Sequence, residues 1–159
     1  MNLPKTIGQL LGENRLTLGV AESCTGGLVG NLITDVPGSS DYFVGGLVAY
    51  HNRIKRELLH VSNRTLEEHG AVSAQTAEEM ACGVLKLFKV DLGLSTTGIA
   101  GPGGGTSEKP VGLVYISVAT SQGESKTLRR QWARGRQGNK MKTTESALLL
   151  LRNWLEQSQ

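Results

Sequence analysis

The sequence is short of most groups that bind metals, cross membranes or stack on nucleic-acid bases. Two cysteines, Cys24 and Cys82, in 159 residues make no disulfide framework, and both are expected to stay reduced. The three histidines, His51, His60 and His69, are nine residues apart. That fits neither an i, i+4 helical pair nor a zinc-ligand spacing, so no metal site is expected. Aromatic residues make up 4% of the chain, and only Trp132 falls among the basic residues of the C-terminal segment, which leaves nucleic-acid bases little to stack on. The longest apolar run, Ala147–Leu151, is far short of the roughly 20 residues of a membrane span. The first residues lack a charged and apolar leader. A cytoplasmic protein with no membrane partner is therefore expected. Negative charge is scarce after residue 123, where Lys126, Arg129, Arg130, Arg134, Arg136, Lys140, Lys142 and Arg152 face only Glu124, Glu145 and Glu156. Such a segment is either a solvated face or a grip on an anion. With so few aromatics, a phosphorylated small molecule is preferred to nucleic acid as that anion.

What is present is glycine, 21 residues of it, and a regular alternation of apolar patterns. The length fits one domain over residues 1–159, with roughly 70% of the unfolded surface available for burial. Leu3, Ile7, Leu10 and Leu11 share a helical stripe, and Leu16–Ala21 reads as a short buried strand. Leu28, Val29, Leu32 and Ile33 form a second helical face after a tight turn, and Phe43–Ala49 reads as a strand softened by Gly45 and Gly46. Two short helices are expected over Ile54–His60 and Asn63–His69. A longer one is capped by Ser73 and carries Ala77, Met80, Ala81, Val84, Leu85 and Phe88 on one stripe. Strands follow at Leu92–Thr97, Val111–Thr120 and Lys126–Trp132. An irregular segment at Arg134–Asn139 then leads to a closing helix with Met141, Leu148, Leu151 and Leu155 on its inner face. The alternation predicts a three-layer α/β/α sandwich around a mixed, mostly parallel sheet of about five strands, the late hairpin adding the antiparallel neighbour.

Ligands of open α/β sheets collect beyond the carboxyl ends of the strands, and three unusual segments follow expected strands. The first, Ala21-Glu22-Ser23-Cys24-Thr25-Gly26-Gly27, places hydroxyl and thiol groups before a helix start, where free amides favour an anion. It is not a G-x-S-x-G elbow, so no histidine triad is indicated. The second contains Tyr50 and Lys55, either of which can assist a serine, the lysine when burial lowers its pKa. The third, from Thr97 and Gly98 through Ala100, Gly101 and Pro102 to Gly105, is not a Walker loop, yet its amides can cradle a phosphate or ribose. Each segment also has a plain structural reading: a helix cap, a core tyrosine with a solvated lysine, and a surface loop stiffened by Pro102 and Pro110.

Taken in order, the Ser23 segment, Pro37-Gly38-Ser39-Ser40 with Phe43 and Gly45-Gly46, Gly70-Ala71-Val72-Ser73, and Thr97-Gly98-Ile99-Ala100-Gly101-Pro102 through Lys109-Pro110-Val111-Gly112 closely resemble the CinA C-terminal domain family. The resemblance covers nearly the whole chain. It implies a nicotinamide-nucleotide amidohydrolase that converts nicotinamide mononucleotide to nicotinic acid mononucleotide and ammonia, without metal or cofactor, on an α/β/α sandwich that dimerises. It puts the catalytic serine at Ser23, the tyrosine at Tyr50 and the lysine at Lys55. Cys24, Thr25, Gly26, Thr97, Gly98, Ala100, Gly101 and Arg136 are the expected substrate contacts. Longer members carry a further N-terminal domain, so a stand-alone form is expected here. One stretch departs from the pattern: where relatives show Gly-Asp-Arg and a later arginine, this chain has Arg134-Gly135-Arg136 and then Lys140. Three alternatives stay open at this point: a non-catalytic nucleotide-binding or competence-related module, an inactive paralogue, and Cys24 as nucleophile in place of Ser23.

Overall fold

Asn2 opens the first helix by accepting the Lys5 amide on its side chain at 3.2 Å, with Pro4 in the first turn, where its missing N–H costs nothing. In the computed structural model, which describes residues 2–158, helix α1 spans Leu3–Glu13 and is followed by β1 (Leu18–Glu22), α2 (Leu28–Thr34) and β2 (Phe43–Val48). Next come α3 (Asn52–Glu57), α4 (Asn63–His69), α5 (Ala74–Phe88), β3 (Leu92–Gly98), β4 (Leu113–Thr120), β5 (Ser125–Gln131) and α6 (Gly135–Gln157). Met1 and Gln159, the ends of the expected domain, lie outside the described residues.

The strands form one sheet in the order β2-β1-β3-β4-β5. β1 pairs in parallel with β2 and β3, whereas β4 is antiparallel to both β3 and β5. Four strands therefore run one way and β4 alone is reversed, which matches the mixed, mostly parallel sheet read from the pattern. Alternation along each strand sorts side chains to the two faces. Leu18 and Val20 of β1 and Leu92 and Leu94 of β3 pack against Ile7, Leu11, Val29, Ile33, Leu148 and Leu151 from α1, α2 and α6. Ala21 faces the other way, into a second cluster with Leu59, Val61, Met80 and Val84. Each large aliphatic side chain buried in this way contributes about 1.5–3 kcal/mol. Gly93 lets α5 close onto the sheet, because a Cβ there would collide with the Ala81 carbonyl.

β3 is buried on both faces and yet carries Ser95, Thr96 and Thr97. Each hydroxyl has a partner, as burial requires: Ser95 donates to the Ala77 carbonyl, Thr97 donates to the Ala71 carbonyl at 2.7 Å, and Thr96 lies 2.7 Å from the Thr25 hydroxyl. The Ser73 cap is also present, accepting the Thr76 amide at 3.1 Å.

Two expectations at the C-terminal end are corrected. Arg134–Asn139 is not an irregular segment, since α6 already begins at Gly135. Its first turn contains Gly135, Gly138 and Asn139, all weak helix formers, and is held by long-range bonds. The Asn139 side chain accepts the Arg134 amide at 3.0 Å and donates to the Ala100 carbonyl at 2.9 Å. Starting the helix there sets the buried stripe at Asn139, Thr143, Ala147, Leu150 and Leu151. Met141, about 200° around the helix from Asn139, is 65% exposed and not on the inner face.

Candidate active site

β1, β2 and β3 run parallel, so their carboxyl ends lie on one edge of the sheet. The three segments singled out in the sequence leave the sheet at this edge. β1 ends at Glu22 and delivers Ser23, whose amide is held by the Thr96 carbonyl of β3 at 2.9 Å. β2 ends at Val48 and leads through Ala49 and Tyr50 into α3. His51 caps that helix by accepting the Arg53 amide on Nδ1 at 3.1 Å, a structural duty. One turn later α3 turns Lys55 back under the strand ends.

Lys55 is the largest fully buried side chain, 1% exposed. Its Nζ lies 3.0 Å from Ser23 Oγ, 2.8 Å from the Ala49 carbonyl and 3.3 Å from the Tyr50 carbonyl. No carboxylate is among these partners. Burial lowers its pKa from 10.5 to about 8, the neighbouring Cys24 acting weakly in the opposite sense. In the neutral amine the two N–H bonds satisfy the two carbonyls, which leaves the lone pair directed at the Ser23 hydroxyl. The group is thus poised to accept a proton near neutral pH, as a general base must be. Cys24, the neighbouring candidate nucleophile, is 6% exposed. Burial pushes its thiol up to about 12, with the Glu22 charge adding to the rise. A thiol held protonated in this way is a poor nucleophile.

The turn after Ser23 differs from the expectation of an anion held at a helix end. Helix α2 starts only at Leu28, after Gly27 at φ 103°, a left-handed conformation that favours glycine. Its first amides already have a partner inside the protein. Glu22, 2% exposed, accepts the Val29 amide on Oε1 at 2.9 Å and the Gly30 amide on Oε2 at 3.0 Å. Glu22 Oε1 also accepts the Thr25 hydroxyl at 2.6 Å. Thr25 is fully buried, its side chain held between Glu22 and Thr96. Among the described residues the amides of Cys24 and Thr25 donate to no protein oxygen. Of the two residues, only Cys24 keeps any exposure.

The rim of the site is built by α6. Arg136 donates from Nη1 to the Gly101 carbonyl at 2.7 Å and from Nη2 to the Tyr50 phenol at 3.1 Å. It therefore ties the segment after β2 to the glycine loop after β3. The Tyr50 carbonyl, not its phenol, meets Lys55, and the tyrosine is 62% exposed. In the loop, Ala100 and Gly101 give their carbonyls to Asn139 and Arg136, Gly98 packs on Val114, and the Thr97 hydroxyl is spent on Ala71. Lys140 projects toward Gly26, its Nζ 3.7 Å from where a Cβ of that glycine would stand.

Sequence reasoning found Ser23, Lys55, Tyr50 and Arg136, and the structure brings Ser23 to Lys55 and Tyr50 to Arg136. It missed Glu22 and Asn139. The signal for Glu22 was a carboxylate at the end of an otherwise apolar strand, immediately before the serine. Asn139 gave none, because the Ala100 carbonyl that it holds is far away in sequence. Both cysteines are free, no helix is long and apolar enough to cross a membrane, and no cluster of metal-ligating side chains occurs among the described residues.

A lysine–serine pair buried at the carboxyl edge of a mixed five-stranded sheet, with helices on both faces, defines an α/β/α protein with the elements of a serine-based site. The chain belongs to the CinA family, its residues 1–155 matching the CinA C-terminal domain. It is 51% identical over 155 residues, 98% of this chain, to a putative competence-damage inducible protein of Halothermothrix orenii. It is 48% identical over 158 residues to a CinA-like protein of Synechocystis. In both cases the chain spans 38% of the relative's length. Among solved structures, the competence/damage inducible protein CihA from Agrobacterium tumefaciens superposes with a TM-score of 0.91 at 36% identity, covering 98% of this chain and 96% of that one. The competence damage-inducible protein A of Klebsiella pneumoniae superposes at 0.94 with 30% identity, covering 99% and 97%.

Proposed function

We propose that the chain hydrolyses the carboxamide of nicotinamide mononucleotide to nicotinic acid mononucleotide and ammonia. The observation that supports this most is the buried Lys55 amine 3.0 Å from Ser23 Oγ, its pKa lowered to about 8. Neutral Lys55 takes the Ser23 proton as Oγ attacks the carboxamide carbon. The negative charge that develops on the carbonyl oxygen is met by the Cys24 amide. When the C–N bond breaks, the Lys55 proton goes to the departing nitrogen, which leaves as ammonia, and the acyl group stays on Ser23. Water then adds to the ester, gives its proton to Lys55 and returns Ser23 to its hydroxyl form. The nucleotide phosphate lies toward Arg136 and Lys140, with the Tyr50 phenol holding the Arg136 guanidinium. With this reading go a cytoplasmic location and the homodimer that the resemblance implies.

The pH dependence follows from Lys55. Its folded pKa is depressed, so at pH 7 about one molecule in ten carries the neutral amine. In this scheme kcat/KM rises with pH, roughly tenfold per unit below 8, and levels above it. The same shift makes the unfolded state bind more protons between pH 8 and 10.5, so stability increases with pH across that window. Rate profiles and denaturant midpoints from pH 6 to 10 check both. A flat rate profile would remove Lys55 from the role of base.

Arg136 is expected to read the phosphate, because a guanidinium can bind it through two parallel hydrogen bonds. Arg136→Ala should raise KM for nicotinamide mononucleotide by about 10- to 100-fold, the cost of one charged contact. Nicotinamide riboside, which lacks the phosphate, should be a poor substrate and nearly indifferent to the change. The measurement is kcat/KM for both substrates with both proteins, read as a double cycle. Equal losses on the two substrates would transfer the phosphate contact to Lys140 or Arg134.

A further inference from the structure

Glu22 has no part in the proton transfers above, yet it makes three hydrogen bonds beside the nucleophile, as many as Lys55. A carboxylate 2% exposed in the last position of a buried strand is costly unless its oxygens are satisfied. Here one oxygen takes the Thr25 hydroxyl at 2.6 Å and the Val29 amide at 2.9 Å, and the other takes the Gly30 amide at 3.0 Å. The Thr25 hydroxyl continues the chain to Thr96 at 2.7 Å. Thr96 in turn holds the Ser23 amide through its carbonyl at 2.9 Å. The nucleophile is thus enclosed by a ring of buried bonds from Glu22 to Thr25, to Thr96 and back to Ser23. Strand alternation explains why Glu22 can do this: it follows Leu18 and Val20 on the face that packs against α2.

We propose that Glu22 is the positioning residue of the Ser23 turn, holding the turn in the form that leaves the Cys24 amide free as an oxyanion donor. Two consequences follow. The first is that the end of α2 is already neutralised by Glu22, so the anion is stabilised by the turn and not by the helix. The second is that Thr25 acts through its side chain, on Glu22 and Thr96. The inference rests on Ser23 being the nucleophile, and it extends that reading to the geometry of the attack.

The test uses two readouts, so that failure of the inference and failure of the proposed substrate are told apart. One is the rate at which p-nitrophenyl acetate acylates Ser23, followed by intact mass with Ser23→Ala as blank. The other is kcat and KM on nicotinamide mononucleotide. Glu22→Gln puts an amide N–H against donors and should lower both the acylation rate and kcat by about 10²-fold, as loss of an oxyanion donor does, with KM within about twofold. Should Glu22→Gln fail to fold, Thr25→Val decides, since it keeps the buried volume and the carboxylate and removes the hydroxyl that links Glu22 to Thr96. It should lower both rates at least tenfold with KM unchanged, and Thr25→Ser should recover most of that loss. A folded Glu22→Gln, or Thr25→Val, that acylates at the wild-type rate overturns the proposal. So does a loss expressed in KM alone. Slow acylation in these variants beside a wild type inert toward nicotinamide mononucleotide would uphold Glu22 and reject the substrate.

Discussion

Lys55→Arg is expected to lower kcat on nicotinamide mononucleotide by about 10³-fold, within the range that general-base catalysis supplies. The arginine keeps a positive charge but cannot release a proton in the accessible pH range, and it is too wide to repeat the contacts to Ser23, Ala49 and Tyr50. Lys55→Met keeps the length of the side chain without a basic nitrogen and should be equally inactive. The two variants separate base catalysis from charge stabilisation, because only the second role could survive in arginine. Both should also lose the increase in stability between pH 8 and 10.5, a readout that needs no substrate. An arginine variant with wild-type turnover would reassign Lys55 to holding charge.

Ser23→Ala should remove turnover by about 10⁴-fold or more, the scale on which loss of a nucleophile acts in a coupled site. Substrate affinity should change little, since the proposed phosphate contacts lie on α6. Cys24→Ala should stay within about tenfold of wild type. With its thiol pushed up to about 12, Cys24 is thiolate in only about one molecule in 10⁵ at pH 7, too few to rival the adjacent serine. The paired measurement is the burst of acyl-enzyme seen by intact mass in each variant. A burst retained in Ser23→Ala and lost in Cys24→Ala would move the nucleophile by one residue.

Local chemistry made much of the fold legible. Ser73 and the apolar stripe from Ala77 to Phe88 marked α5, and the runs at Phe43 and Leu92 marked strands to within a residue or two, because side-chain periodicity is a short-range property. By residue type alone Lys55 is one of two candidates, with Tyr50, to assist a serine, and only the family resemblance gives it the lysine's role. Its burial depends on α3 turning back under β1, which no spacing reveals. The first turn of α6 was read as irregular because Gly135, Gly138 and Asn139 are weak helix formers. The bonds that override them run from Asn139 to Ala100 and from Arg136 to Gly101, on a loop more than thirty positions earlier. The same long-range contacts displaced Met141 from the core face. At the Ser23 turn, amides following the serine were expected to face an anion. Those of α2 are instead taken by Glu22, a tertiary use of a residue that the strand pattern alone marks only as an end.

Amide hydrolysis of a pyridine nucleotide by the buried Lys55–Ser23 pair is tested by ammonia release. Purified wild type and Ser23→Ala are incubated with nicotinamide mononucleotide at pH 8, and ammonia and nicotinic acid mononucleotide are quantified together. The account predicts equimolar release of the two products by wild type and none above background by the variant. A wild type that binds the nucleotide and releases no ammonia, or a Ser23→Ala variant that releases it at the same rate, would contradict it.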